Sequence, residues 1–158
     1  MDRGQVMTQA GTEYAKPLPL MQGLAKEFYD WCKQRELRFQ RCSECGAWRH
    51  VPREMCAACG SFRWEWAKSS GRGTVFTWTV VARALHPAFQ PDAPYAPVVV
   101  DMDEGVRLLS QVVDCPPDQL QIGMPVEVVF DDVTPEITLP RFRRARSQGD
   151  GYRKGNHR

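Results

Sequence analysis

Four cysteines stand in two knuckles of one pattern, Cys42-Ser43-Glu44-Cys45-Gly46 and Cys56-Ala57-Ala58-Cys59-Gly60. Two residues between cysteines let both sulfurs reach one metal from a tight turn. The glycine after each pair permits the positive φ that brings backbone N–H groups close to sulfur. Together Cys42, Cys45, Cys56 and Cys59 supply four thiolates, the full tetrahedral set for one zinc ion. Every position is then filled by protein, so no place remains for a catalytic water and the expected role of the zinc is structural. In a segment as short as residues 38–67 the metal supplies most of the folding free energy. The competing readings are a redox dithiol pair, an iron centre of the rubredoxin kind, or two disulfides. CxxC twice at this spacing, in a chain whose first residues do not read as an export signal, favours zinc.

The remaining chemistry-bearing residues are few. His50 follows the first knuckle, is surplus to a full ligand set, and reads as a surface or packing residue. Cys32 and Cys115 have no second thiol near in sequence and read as small buried hydrophobes. His86 lies in a proline-punctuated stretch near Phe89 and Tyr95, with no thiol or carboxylate fixed beside it. Asp103 and Glu104 resemble a carboxylate pair, but adjacent residues before Gly105 are the usual formers of a hairpin turn. There is no GxSxG, P-loop or GxGxxG. The expectation is a chain without turnover of its own.

The elements that must hold these residues are legible from periodicity. Residues 1–19, with Gly4, Gly11, Pro17 and Pro19, read as a flexible arm. Residues 20–37 read as an amphipathic helix, with Leu20, Leu24, Phe28, Trp31 and Arg35 at helical spacing. That stripe has two readings: it packs on the chain's own core, or Leu24, Phe28 and Trp31 form a docking face for a partner. Residues 38–68 form the metal ribbon. From Arg72 the texture turns to β, with expected strands over 73–81, 98–102, 106–113, 126–133 and 137–139. A helical turn over 116–122, capped by Asp114 and stopped by Gly123, separates the third and fourth. Five short strands with that insertion match an OB-type barrel over 69–142. The fold class is therefore mainly β: an N-terminal amphipathic helix, a four-cysteine zinc ribbon, then a five-stranded OB-fold barrel. Residues 84–97 form a loop stiffened by four prolines, and residues 143–158 read as a disordered basic tail.

Charge and hydropathy exclude several classes. The net charge of +2 conceals an uneven distribution. Residues 141–158 carry seven Lys/Arg and one acid, whereas residues 1–140 carry 14 Lys/Arg and 18 acids, a net −4. No run approaches the ~18 apolar residues of a membrane span, and the start of the chain does not read as a signal peptide, so the expected location is the cytoplasm. Zinc ribbons and OB-folds both bind nucleic acid, and a single-stranded nucleic-acid module is the alternative reading. It would need aromatics interleaved with Lys/Arg on the barrel. Phe76 and Trp78, two apart, fall on one expected strand face, but residues 73–140 contain only Arg83 and Arg107, a poor phosphate track.

In order, the chain presents the helix, Leu37-Arg38-Phe39-Gln40-Arg41-Cys42, the two knuckles, Gly73-Thr74-Val75-Phe76-Thr77, His86-Pro87-Ala88-Phe89, Pro94-Tyr95, Asp103-Glu104-Gly105-Val106-Arg107-Leu108-Leu109-Ser110 and Ile122-Gly123-Met124-Pro125-Val126-Glu127-Val128. This order resembles the DUF35 family over residues 20–142. The resemblance implies a rubredoxin-like zinc ribbon followed by an OB-fold, and a small non-catalytic subunit. Its implied partners are thiolase-superfamily enzymes acting on acyl-CoA thioesters, thiolases or retro-aldolases, in a hetero-oligomer of the 2+2 kind. Contact with acyl-CoA would be indirect. The loop residues His86, Phe89 and Tyr95 would then lie near the partner or its substrate.

Overall fold

The computed structural model describes residues 15–145. The helix is α1, Gly23–Lys33, shorter at both ends than the periodicity of residues 20–37 predicts. Gln22 is extended, and Gly23 enters the helix at a φ of +53° that glycine tolerates. At the far end Arg35 takes φ 62°, Glu36 N–H donates to Trp31 O at 3.1 Å, and Arg35 N–H to Cys32 O at 2.9 Å. This is a Schellman stop with arginine where glycine is usual. Its guanidinium pairs with the Asp132 carboxylate and donates to Phe130 O at 3.2 Å. Tertiary contacts thus offset a backbone conformation that the sequence does not advertise.

The ribbon is a three-stranded antiparallel sheet in the order β2-β1-β3, built from β1 (Arg38–Cys42), β2 (Trp48–Arg49) and β3 (Trp64–Lys68). The barrel strands are β4 (Arg72–Trp78), β5 (Val98–Met102), β6 (Arg107–Ser110), β7 (Pro125–Asp132) and β8 (Thr138–Arg144), in the order β6-β5-β4-β7-β8. All neighbours are antiparallel. The sheet curls until its two edges meet. Phe142 N–H donates to Gln111 O at 2.9 Å, and Val113 N–H to Phe142 O at 2.8 Å, a short parallel seam. That topology is the expected OB-like fold.

Three of the expected strands change by more than one residue at an end. The first barrel strand stops at Trp78 and not Val81, and its register shifts between Val75 and Thr77. Val75 opposes the buried Val100 and Trp78 the buried Val98, so Trp78 turns inward while Phe76 stays 41% exposed. The two aromatics do not share a face, because a bulge inserts one residue between them. The third strand is Arg107–Ser110, and residues 111–113 form the seam. The last strand runs to Arg144, well beyond Leu139. Its arginines disguise it as tail, but Arg143 pairs with its cross-strand partner Glu127 at 2.7 Å. The insertion before β7 is a 3-10 turn, Pro117–Gln119. Asp114 does not cap it but accepts from Arg144 N–H at 3.1 Å. Residues 15–19 of the expected arm are described, and Lys16 is tied to Asp92 at 2.5 Å. The rest of that arm and the tail from residue 146 lie outside the described residues.

One hydrophobic cluster runs through all three parts. Phe28 and Cys32 of α1 and Leu37 and Phe39 of the ribbon join Val75, Val98, Val100, Leu108, Val126 and Phe142 of the barrel. The helix packs on β1, β7 and β8. Among the described residues no helix is long and apolar enough to cross a membrane.

Candidate functional site

The two knuckles fold as their sequence demands. Gly46 N–H closes the first turn onto Cys42 O at 3.0 Å, and Gly60 N–H closes the second onto Cys56 O at 2.8 Å. Both glycines take positive φ, 73° and 74°, where a side chain would be strained. The four Sγ atoms lie within 4.8 Å of one another. Cys42 and Cys59 are 3.6 Å apart, Cys45 and Cys56 3.7 Å. Sulfurs at Zn–S distances of ~2.3 Å on a tetrahedron sit about 3.8 Å from each other, and the two closest pairs already match that spacing. These separations are far beyond the ~2.05 Å of a disulfide, and all four thiols are free.

Electrostatics point the same way. Backbone N–H groups of Cys45 and Glu44 hold the Cys42 thiol down, to about 6. The N–H groups of Cys59 and Ala58 likewise lower Cys56. Cys59 receives the Ser61 N–H, yet the crowded thiols of Cys45 and Cys42 push it up to about 12. The first thiolates are welcomed by amides and the last is repelled by its neighbours. A dication at the centre removes that repulsion, which is the chemical sense in which these residues fit zinc. Cys42 and Cys56 are buried while Cys45 and Cys59 face solvent.

Among the described residues, the other thiols and histidines are not brought to this centre. Cys32 is fully buried in the core, and burial pushes its thiol up to about 12, an inert state. Cys115 is half-buried and its thiol faces Pro116 O at 3.6 Å. The His50 ring packs 5.0 Å from Phe28 and 5.3 Å from Phe39, and burial lowers its pKa to about 4.

Of the helix residues, Phe28 is only 4% exposed and belongs to the chain's own core. As a docking anchor it is therefore corrected: the ribbon and barrel offer it the home that the sequence concealed. Leu24 and Trp31 are half-buried, and Trp31 lies under the Arg38 guanidinium at 4.2 Å. In the proline-rich loop, Phe89 stacks on Tyr95 at 5.8 Å and meets His86 edge-on at 6.0 Å. His86 Nδ1 accepts the Ala88 N–H at 3.2 Å, capping the 3-10 turn Pro87–Asp92. The three residues meet, but they chiefly shape the loop. Glu104 accepts Ser70 N–H at 2.5 Å and Asp103 faces Ser70 Oγ at 3.4 Å, so the carboxylate pair secures the linker between ribbon and barrel.

Sequence reasoning passed over two features. Gln40 is fully buried and its Oε1 accepts from both Arg49 Nε at 2.7 Å and Arg53 N–H at 2.8 Å. It fixes the loop after β2. Polar residues flanking a metal knuckle read as surface, and nothing in the pattern marks this one as buried. The second is a groove of about 500 Å³ where that loop, α1, β6 and β8 meet, walled by Tyr29, Val51, Leu109 and Leu139.

Comparison with known proteins accords with this architecture. Residues 32–65 match the ChsH2 rubredoxin-like zinc ribbon domain and residues 66–131 the ChsH2 C-terminal OB-fold domain. The chain is 37% identical over 138 residues to a probable enoyl-CoA hydratase alpha subunit of Thermomonospora curvata, covering 87% of this chain and 43% of that protein. It thus spans less than half the length of that relative. It is 36% identical over 97 residues to a DUF35 domain-containing scaffold protein of Methanothermobacter thermautotrophicus, covering 61% of this chain and 72% of that one. Among solved structures it resembles the Ltp2-ChsH2(DUF35) aldolase, with TM-score 0.74, 38% identity, and coverage of 80% of this chain and 98% of that chain. With the paired CxxCG knuckles, the zinc ribbon and the OB-like sheet in this order, the chain belongs to the DUF35 family.

Proposed function

We propose that the chain is a non-catalytic subunit that binds, and stabilises or completes, a thiolase-superfamily enzyme acting on acyl-CoA thioesters. The observation that carries this reading is the likeness to the ChsH2(DUF35) aldolase chain over nearly its whole length. Relatives named as a hydratase alpha subunit and as a scaffold support the same class of role. The site chemistry agrees with it. A zinc ion held by Cys42, Cys45, Cys56 and Cys59 has no open position, so it organises the ribbon and activates no water.

In this reading the proline-rich loop with His86, Phe89 and Tyr95 lies by the partner's active-site entrance, and Leu24 and Trp31 contribute the edge of α1. The complex is a 2+2 hetero-oligomer in the reducing cytoplasm. The test is reconstitution. The enzyme subunit, alone and with this chain, is assayed for turnover of an acyl-CoA thioester. The pair turns over faster or survives longer than the enzyme subunit alone, and this chain alone is inactive. Robust turnover by the purified chain alone, or no effect on the enzyme subunit, overturns the proposal.

A further inference from the structure

The loop between β4 and β5 carries Leu85, whose side chain touches almost nothing: the residue is 99% exposed. A single exposed leucine is ordinary on a protein surface. Leu85 differs in being held out by a backbone that is already fixed on both sides. Ala84 before it is buried, at 4% exposure. His86 after it caps the 3-10 turn, which Pro87 opens. The base of the loop is laced by Val81 N–H to Tyr95 O at 2.8 Å and the reciprocal bond at 3.3 Å. The Phe89–Tyr95 stack and the Lys16–Asp92 pair brace its far side. These contacts limit the ordering entropy that a flexible loop would lose on binding, so an apolar tip on this frame is preorganised for burial.

Two neighbours say what kind of surface would receive it. Arg83, two residues before the tip, is exposed and, among the described residues, forms no ion pair. Beside it lies an open depression of about 380 Å³ lined by Ala82, Arg83, Ala84, Gln90 and Ala93. The tip therefore presents one apolar knob, one exposed cation and one small-residue hollow.

We propose that Leu85, with Arg83 beside it, is the anchor by which this chain docks its enzyme subunit. The leucine enters an apolar pocket of that subunit, and a carboxylate on the pocket's rim meets the guanidinium. The proposal rests on the accessory-subunit reading above and adds a specific anchor to the loop and helix edge named there. It differs from the aromatic trio chosen by sequence: His86, Phe89 and Tyr95 build the loop, and Leu85 is what the loop displays.

The test uses the full chain and the enzyme subunit that co-purifies with it from its host, identified by mass spectrometry. Binding is titrated for the wild type, Leu85→Asp, Leu85→Met, Arg83→Glu and, as a ribbon control, Phe62→Ser. Leu85→Asp weakens binding by roughly tenfold or more, Leu85→Met stays within about threefold, and Arg83→Glu both weakens binding and inverts its salt dependence. Phe62→Ser binds as the wild type does. All variants keep the melting temperature of the isolated chain, since these side chains are exposed. If Leu85→Asp binds like the wild type, the anchor is elsewhere while the accessory reading stands. If the wild type purifies only with copies of itself or with no enzyme subunit, the accessory reading itself fails.

Discussion

Cys42 and Cys56 each sit in a nest of backbone N–H groups, whereas Cys59 is opposed by neighbouring thiols. Replacing any one of Cys42, Cys45, Cys56 or Cys59 by serine removes a thiolate the tetrahedron needs. The expected result is loss of stoichiometric zinc by elemental analysis and loss of dispersed amide signals from residues 38–68. Zinc retained in a folded Cys45→Ser protein would contradict it. His50 makes a separate prediction. Burial depresses its folded pKa to about 4, against ~6.5 when unfolded. Its contribution is whole above the unfolded value, and stability falls as pH drops from ~6.5 toward ~4, at up to about 1.4 kcal/mol per pH unit. Chemical denaturation of the wild type and His50→Gln, both saturated with zinc, isolates this slope, which the variant lacks. The cysteine pattern was fully legible in the sequence because ligand chemistry imposes spacing. The burial of His50 and Gln40 was not, because it depends on Phe28 and on loop contacts 9 and 13 residues from Gln40 in the chain.

At the scale of elements, α1 shows how tertiary contacts override a local pattern. Its stripe predicted a helix correctly, yet its end at Lys33 depends on Arg35 reaching β7, where Asp132 is held below the usual carboxylate range by Thr138 Oγ1 and Arg35. Its face is divided. Phe28 is core, and Phe28→Ala should destabilise the isolated chain by about 3–5 kcal/mol, as for other buried phenylalanines. Trp31 is half-buried under Arg38, and Trp31→Ala should cost about 1 kcal/mol while weakening partner binding. Thermal melts and pull-downs of the two single variants check the division; equal destabilisation by both would refute it. The strand centres were legible from β-branched residues, but the bulge in β4 was not, since one inserted residue leaves composition unchanged. The end of β8 was hidden for another reason. Its outward positions are arginines whose partners, Glu127 and Asp131, lie on β7.

At the scale of the whole molecule, the described parts of ribbon, helix and barrel pack around one shared core and are not modules strung on a linker. The order of parts was legible because each has its own period or spacing. Their union was not, because a helix with no evident home in sequence finds it only once β1, β7 and β8 are placed. In the proposed reading, the shared core, the four-cysteine site and the braced, displayed loop together hold the partner enzyme. Native mass spectrometry of the complex purified through this chain from its own host tests that claim most directly. The predicted result is a hetero-oligomer holding two copies of this chain, each with one zinc ion, and two copies of a thiolase-superfamily subunit. A lone chain, or an assembly of this chain with itself, would contradict it.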